Sequence, residues 1–254
     1  MTNIILCGCG GRMGQAIIRA TADSKECRIV AGVDVNADAT APACSFPVYG
    51  AISEFPGKAD VIVDFSHHTA LIPLADYAKA TGTPLVVATT GHTEEERAYM
   101  NTASKEVALF FSGNMSIGIN LLIELCRQAA ATLGESFDVE IVEKHHNQKL
   151  DAPSGTALMI ADALREERDE TEYVYDRHAI RQKREPREIG IHSVRGGTIV
   201  GEHEVIFAGN QETVTLTHTA TSREIFANGA LKAAAYLAGK PAGLYNMSDL
   251  INGR

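Results

Sequence analysis

The chain has 254 residues, 45% of them hydrophobic and 22% charged, with a formal net charge of −9. That length suits two modest domains or one larger α/β domain, and the composition is that of a globular protein, not a disordered, collagen-like or membrane one. The acidic balance argues against general nucleic-acid binding, which needs a basic face. It leaves room for an anionic small-molecule site built from a few local cations.

No basic segment leads into an apolar stretch at the N-terminus, and no apolar run approaches ~18 residues, so neither a signal peptide nor a membrane span is expected. The cysteines Cys7, Cys9, Cys27, Cys44 and Cys126 are odd in number and form no CxxC pair. A disulfide framework is not expected, and a reducing cytoplasm is the expected compartment.

In chain order, residues 3–7 are a short apolar run ending in glycines, the pattern of a buried parallel strand. Residues 12–23 show helical spacing, with Met13, Ala16, Ile17 and Ala20 on one side. Further strands are expected at 28–34, 59–66, 84–91 and 107–112, with helical patterns at 70–81 and 94–104 between the later ones. Alternation of strand and helix predicts a parallel sheet with helices on both faces. Beyond residue 115 the pattern changes. A long helix is expected over 118–133, a strand over 137–144 and an amphipathic helix from about Ser154. The densely charged residues 165–188 read as a solvated helix end and loop. Residues 189–219 read as antiparallel strands, and 225–238 as an alanine-rich last helix.

The segment Gly8-Cys9-Gly10-Gly11-Arg12-Met13-Gly14 lies between the first strand and the first helix. Glycines there let the backbone turn sharply and approach a pyrophosphate, with unpaired helical N–H groups pointing at it. The spacing is GxxGxxG at Gly8, Gly11 and Gly14, not strict GxGxxG. Asp34, at the end of the next strand, is placed to accept hydrogen bonds from an adenosine ribose. No arginine follows Asp34, which would repel a 2′-phosphate, although Arg12 could reach one. NADH is therefore favoured over NADPH. Thr89-Thr90-Gly91 and Ser112-Gly113-Asn114-Met115 end two further strands at the same sheet edge; they read as turns for the nicotinamide end or as plain strand–helix turns.

Residues 143–157, Glu-Lys-His-His-Asn-Gln-Lys-Leu-Asp-Ala-Pro-Ser-Gly-Thr-Ala, carry the most chemistry. Histidine is an acid/base poised near neutrality, and lysine a compact cation. Ser154, Gly155 and Thr156 open a helix, where hydroxyls and free N–H groups bind carboxylates. Together they could hold a small dianion and protonate it. A zinc site joining His145-His146 to His67-His68 is not expected, because the spacing matches no usual ligand pattern.

Here the chain resembles the dihydrodipicolinate reductases. Residues 143–157 fit that family's E-x-H-H-x-x-K-x-D-A-P-S-G-T-A signature throughout. The GxxGRMG turn (Gly8–Gly14), the TTG turn (Thr89–Gly91), the N-M-S-I-G-I-N segment (Asn114–Asn120), the Val194–His203 segment and the Gly243–Met247 segment match in the same order. Ala88, before TTG, and His67-His68 depart from the usual pattern. The resemblance implies a Rossmann-type dinucleotide domain of residues 1–115 and 220–254. Inserted in it would be an α+β substrate-binding and oligomerisation domain, residues 116–219, with an open mixed sheet that builds a homotetramer. It implies NAD(P)H-dependent reduction of 4-hydroxy-tetrahydrodipicolinate to tetrahydrodipicolinate, with loss of water, in diaminopimelate and lysine synthesis. His145 would be the general acid and Lys149 the stabilising cation. His146, Ser154, Gly155 and Thr156 would bind the dicarboxylate. Gly8, Gly11, Arg12, Met13, Gly14, Asp34, Thr89, Thr90, Gly91, Ser112, Asn114 and Met115 would bind the cofactor. Domain closure with hinges near 115 and 220 is expected. The competing readings are another reductase of an amino-acid pathway, such as an aspartate or homoserine dehydrogenase, and a dinucleotide-sensing protein without chemistry.

Overall fold

A computed structural model describes residues 1–22, 24–168 and 170–253. Asp23, Asp169 and Arg254 lie outside the described residues; they include the end of the helix expected over 12–23 and one position of the charged run. The chain divides into two units, Met1–Ile117 with Glu224–Arg254, and Gly118–Arg223.

The first unit begins with β1 (Thr2–Cys7), α1 (Arg12–Ala22), β2 (Cys27–Val33), α2 (Ala37–Thr40), β3 (Val48–Tyr49) and β4 (Val61–Asp64). It continues with α3 (Leu71–Thr81), β5 (Leu85–Val87), α4 (Glu94–Ala103) and β6 (Ala108–Phe111). The second unit holds α5 (Ile117–Leu133), β7 (Asp138–His145), α6 (Gly155–Glu166), β8 (Glu172–Val174), β9 (Glu188–Arg195), β10 (Gly201–Ala208) and β11 (Thr213–Ala220). The chain then returns to the first unit with α7 (Glu224–Leu237), β12 (Gly243–Tyr245) and α8 (Met247–Asn252).

The first sheet is parallel, with strand order β12-β6-β5-β4-β1-β2-β3. Its central strands are apolar on both sides because both sides are covered. Ile4, Leu6, Val63 and Phe110 pack with Ala16 and Ile17 of α1 and with Ala230 and Ala234 of α7. Their neighbours Ile5, Cys7, Ile62 and Leu109 face Leu71, Leu74 and Ala75 of α3 and Met100 of α4. Strand order reverses between β1 and β4, which opens a crevice at their carboxyl ends. The expected α/β architecture, a Rossmann-type sheet with a second, mixed sheet, is what the chain adopts.

The second sheet runs β11-β10-β7-β9-β8. One face packs on α5 and α6 through Ile119, Ile123, Ile160, Leu164, Val139, Ile141, Ile189, Val205 and Phe207. Two expectations fail here. β9 pairs parallel with β7 and with β8; only β7–β10 and β10–β11 are antiparallel. The path from β7 to β9 carries α6, and a helical crossover returns a strand in the parallel sense. Nor is the charged run 165–188 simply solvated. Arg168 is buried and donates to the carbonyls of Gly134, Phe137 and Pro186. Arg184 is bonded to Asp138 at 2.7 Å and Glu140 at 2.9 Å on β7.

Among the described residues, no helix is long and apolar enough to cross a membrane, and all five cysteines are free.

Candidate active site

Alternation along β7 turns Val139, Ile141, Glu143 and His145 toward the helices. The first two belong to the apolar core, and the last two begin a polar patch at the carboxyl end of the strand. Register completes it. Glu143 stands opposite Ser193 on β9 and His203 on β10, His145 opposite Arg195, and His203 opposite His218 of β11. The loop 146–153 then brings the chain back so that Ser154 caps α6, its Oγ accepting from the Ala157 N–H at 3.1 Å.

Glu143 is fully buried and organises the patch. Its carboxylate accepts two bonds from Arg195, at 2.7 and 2.8 Å. It also accepts from His145 Nδ1 at 2.6 Å and from the Ser154 N–H at 3.1 Å. Burial pushes its pKa up, but bonds from Arg195, Ser193 and His145 outweigh that and hold the carboxyl down at about 2. It is therefore ionised and can only accept, which assigns the Nδ1 proton to His145 and turns Nε2 away from the pair. A Cβ built at Gly201 would meet that Nε2 at 3.1 Å. Burial lowers the His145 pKa, with Glu143 opposing and Lys149 and Arg195 adding to the fall.

Lys149 pairs with Asp151 at 2.9 Å. Gly155 is exposed at the start of α6, with open space where a Cβ would stand, and Thr156 is half-buried beside it. His146 lies beyond the strand end, where its Nδ1 accepts from the Gln148 N–H at 3.2 Å, apart from the hydrogen bonds of the Glu143 cluster. Glu143, Arg195 and His203 were given no role from the sequence. The i, i+2 spacing of Glu143 and His145 on one strand face was the available signal. The patch offers a proton-carrying imidazole, two cations and a helix N-terminus, the means to hold a carboxylate and protonate its neighbour. Among the described residues, no group of three or more His, Cys, Asp or Glu side chains is placed to hold a metal ion.

The first unit has a cavity of about 810 Å³ at the β1–β4 switch point, lined by Gly8, Gly10, Gly11, Asp34, Asn36, Ser66 and His67 among others. Gly8 has φ +76, and a Cβ there would meet the Phe65 carbonyl oxygen at 2.7 Å; at Gly14 it would meet the Gly8 oxygen at 2.2 Å. The backbone turn thus requires glycine. Asp34 accepts from the Gly10 N–H at 2.8 Å and the Asn36 N–H at 3.0 Å, one on each oxygen. Each oxygen keeps a lone pair for a ribose hydroxyl. These residues fit the adenosine half of a dinucleotide.

Arg12, Met13, Gly14, Thr89, Thr90, Gly91, Ser112, Asn114 and Met115 do not line this cavity. Thr89 is buried, its hydroxyl donating to Asp64 at 3.1 Å, whereas Thr90 and Gly91 are exposed. Ser112 Oγ donates to the Asn114 carbonyl at 2.7 Å, which shapes that turn. Met115 is buried in the core, so its side chain serves packing.

The family model described as "Dihydrodipicolinate reductase, N-terminus" matches residues 2–115, and the one described as "Dihydrodipicolinate reductase, C-terminus" matches 118–251. The 4-hydroxy-tetrahydrodipicolinate reductase of Caldanaerobacter subterraneus subsp. tengcongensis is 53% identical over 99% of this chain and 98% of its own. That of Clostridium novyi is 47% identical over 100% of both. Among solved structures, dipicolinate-bound dihydrodipicolinate reductase from Paenisporosarcina sp. TG-14 is similar with a TM-score of 0.82 at 25% identity, over 97% of each chain. A probable dehydrogenase from Thermotoga maritima shares the fold, with a TM-score of 0.62 at 12% identity over 99% of this chain and 89% of that one. The chain belongs to the dihydrodipicolinate reductase family.

Proposed function

We propose that this chain reduces 4-hydroxy-tetrahydrodipicolinate to tetrahydrodipicolinate with NADH or NADPH, releasing water, in diaminopimelate and lysine synthesis. The observation that carries this is His145, oriented by the Glu143–Arg195 pair beside the N-terminus of α6, in a chain of this family. The bound nicotinamide cofactor supplies a hydride.

Hydride addition leaves the ring electron-rich; His145, its Nδ1–H held by Glu143, takes a second proton on Nε2 from solvent and delivers that proton to the ring, returning to the neutral Nδ1–H form. Lys149 stabilises the developing negative charge. Ser154, Gly155 and Thr156, with His146, hold the dicarboxylate by hydroxyl and backbone N–H groups. The dipicolinate bound to the Paenisporosarcina relative supports a ligand of this class. Gly8, Gly11 and Asp34 hold the adenosine and pyrophosphate, with Arg12, Met13 and Gly14 at the start of α1. The turns at Thr89–Gly91 and Ser112–Met115 serve the nicotinamide end. NADH is the preferred cofactor, supported by Asp34 and by a cavity in whose lining, among the described residues, there is no lysine or arginine. On the resemblance alone, the working assembly is a homotetramer and the compartment the cytoplasm.

The test couples the chain to the preceding synthase, with pyruvate and aspartate semialdehyde, and follows oxidation of NADH and then NADPH. His145→Gln and Lys149→Ala are each expected to lower kcat on the order of 10²–10³-fold while cofactor binding survives. Near-normal turnover in both variants would refute the residue roles. Absence of oxidation by a folded chain that binds dinucleotide would point to another reductase or to a sensor.

A further inference from the structure

His203 is buried at 4% exposure, directly behind the α6 cap. Its Nε2 lies 3.0 Å from Ser154 Oγ, and its Nδ1 has no hydrogen-bond partner among the described residues. Ser154 Oγ already accepts from the Ala157 N–H. A hydroxyl has one proton and two lone pairs, so the second contact decides which way its proton points. If His203 carries its proton on Nδ1, that N–H is buried and unpaired, and the Ser154 proton is spent on the bare Nε2. If the proton is on Nε2, the histidine donates to Ser154, both lone pairs are filled, and the hydroxyl proton is free. With a substrate carboxylate accepting that hydroxyl proton, the second arrangement leaves only the bare Nδ1 unpaired, whereas the first leaves both a buried N–H and the carboxylate without a partner, so the second is the stable one in the liganded site.

We propose that His203 is a positioning residue that holds Ser154 as an obligate donor, aiming its hydroxyl proton at a carboxylate of the substrate. This rests on Ser154 binding the dicarboxylate, as assigned above. Burial keeps the imidazole uncharged at neutral pH, its pKa pushed down to about 4, with His145 the next contribution. A neutral His203 donates through one nitrogen only. The site then selects for an anionic oxygen, which only accepts, against a hydroxyl or an amide NH₂, whose own proton would find no acceptor on Ser154.

An imidazole spectrum and a small set of variants decide it. In the unaltered chain with dipicolinate bound, imidazole ¹⁵N–¹H correlation is expected to show the His203 proton on Nε2; a proton on Nδ1 overturns the proposal. His203→Leu is expected to weaken dipicolinate binding and raise KM by about tenfold, the loss of one hydrogen bond to a charged group. It should leave kcat within a few-fold and the NADH affinity unchanged. His203→Gln, which returns an N–H donor to the Nε2 position, is expected to restore most of the affinity. In a Ser154→Ala background, His203→Leu should cost nothing further, and a full additional tenfold loss would overturn the proposal. If Ser154→Ala alone leaves dipicolinate affinity unchanged, it is the assignment of Ser154 that fails. If Ser154→Ala weakens binding and His203→Leu does not, the role of His203 fails while that assignment stands.

Discussion

Glu143 and His145 sit two residues apart on the covered face of β7, and the Glu143 carboxylate accepts the His145 Nδ1 proton at 2.6 Å. The pair is local in sequence, but what holds it is not. Arg195, 52 residues on, closes both Glu143 oxygens from β9. Replacement Glu143→Gln keeps the shape, removes the charge, and presents Arg195 with an amide NH₂ in place of one oxygen. His145 then loses the acceptor that fixes its tautomer. We expect kcat to fall on the order of 10²-fold, the usual worth of a positioned acid/base, with NADH affinity unchanged by fluorescence titration. An unaltered kcat would show that His145 needs no such orientation.

Stability should depend on pH through the buried histidines. His203 has its ordinary 6.5 pushed down to about 4, chiefly by burial and then by His145. Between those values the unfolded chain binds a proton that the folded chain refuses. Stability therefore falls as pH falls through this window. At about 1.4 kcal/mol per pH unit, the loss from His203 is about 3 kcal/mol by pH 4. His145 and His92, both lowered chiefly by burial, act in the same direction. Glu143, held at about 2, stabilises the fold above its ordinary 4.5 and adds its own loss below that. Urea midpoints measured from pH 7 to pH 4 are expected to decline, and less steeply in His203→Gln. Equal slopes in the two proteins would show that His203 titrates normally.

Cofactor choice should turn on Asp34. Its carboxylate lies at the cavity between the Gly10 and Asn36 N–H groups, where a 2′-phosphate would meet a like charge. Asp34→Ser keeps an acceptor and removes the charge. We expect the ratio of kcat/KM for NADPH over NADH to rise by about tenfold, 1.4 kcal/mol in discrimination, with most of the change in KM. A ratio that stays put in steady-state assays would assign the preference elsewhere, with Arg12 the first place to look.

Five strands of the parallel sheet were legible because they are largely apolar on both sides, as in Ile4-Ile5-Leu6, whose successive side chains enter different cores; the edge strands β3 and β12, two and three residues long, are too short to show a pattern and were not expected. The second sheet was half legible. Alternation revealed strands in 189–219, but alternation is the same in parallel and antiparallel pairs, so the parallel pairing of β9 with β7 was hidden in the topology of the α6 crossover. At the candidate site, the chemistry of residues 143–157 could be read from residue types. The link from Glu143 to Arg195 and from Ser154 to His203 could not, since those contacts arise from strand register and the loop 146–153, not from spacing. Charge misled in one place: arginines in 165–188 look solvated by composition, yet Arg168 and Arg184 are bound to main-chain and carboxylate oxygens.

Arg168 makes that last point measurable. It is 8% exposed. Its guanidinium donates to Gly134 and Phe137 at 3.1 Å and to Pro186 at 3.4 Å, so it joins the turn after α5 and the start of β7 to the segment leading into β9. Arg168→Met retains much of the aliphatic packing and leaves these carbonyls without their donor. Unpaired buried acceptors cost about 1–3 kcal/mol each, less where water can enter. We therefore expect Arg168→Met to lower unfolding stability by about 2–3 kcal/mol in urea titration, with kcat and KM of the surviving folded fraction unchanged. Surface substitutions are usually within about 0.5 kcal/mol of neutral, and a value in that range would return this segment to the solvated surface.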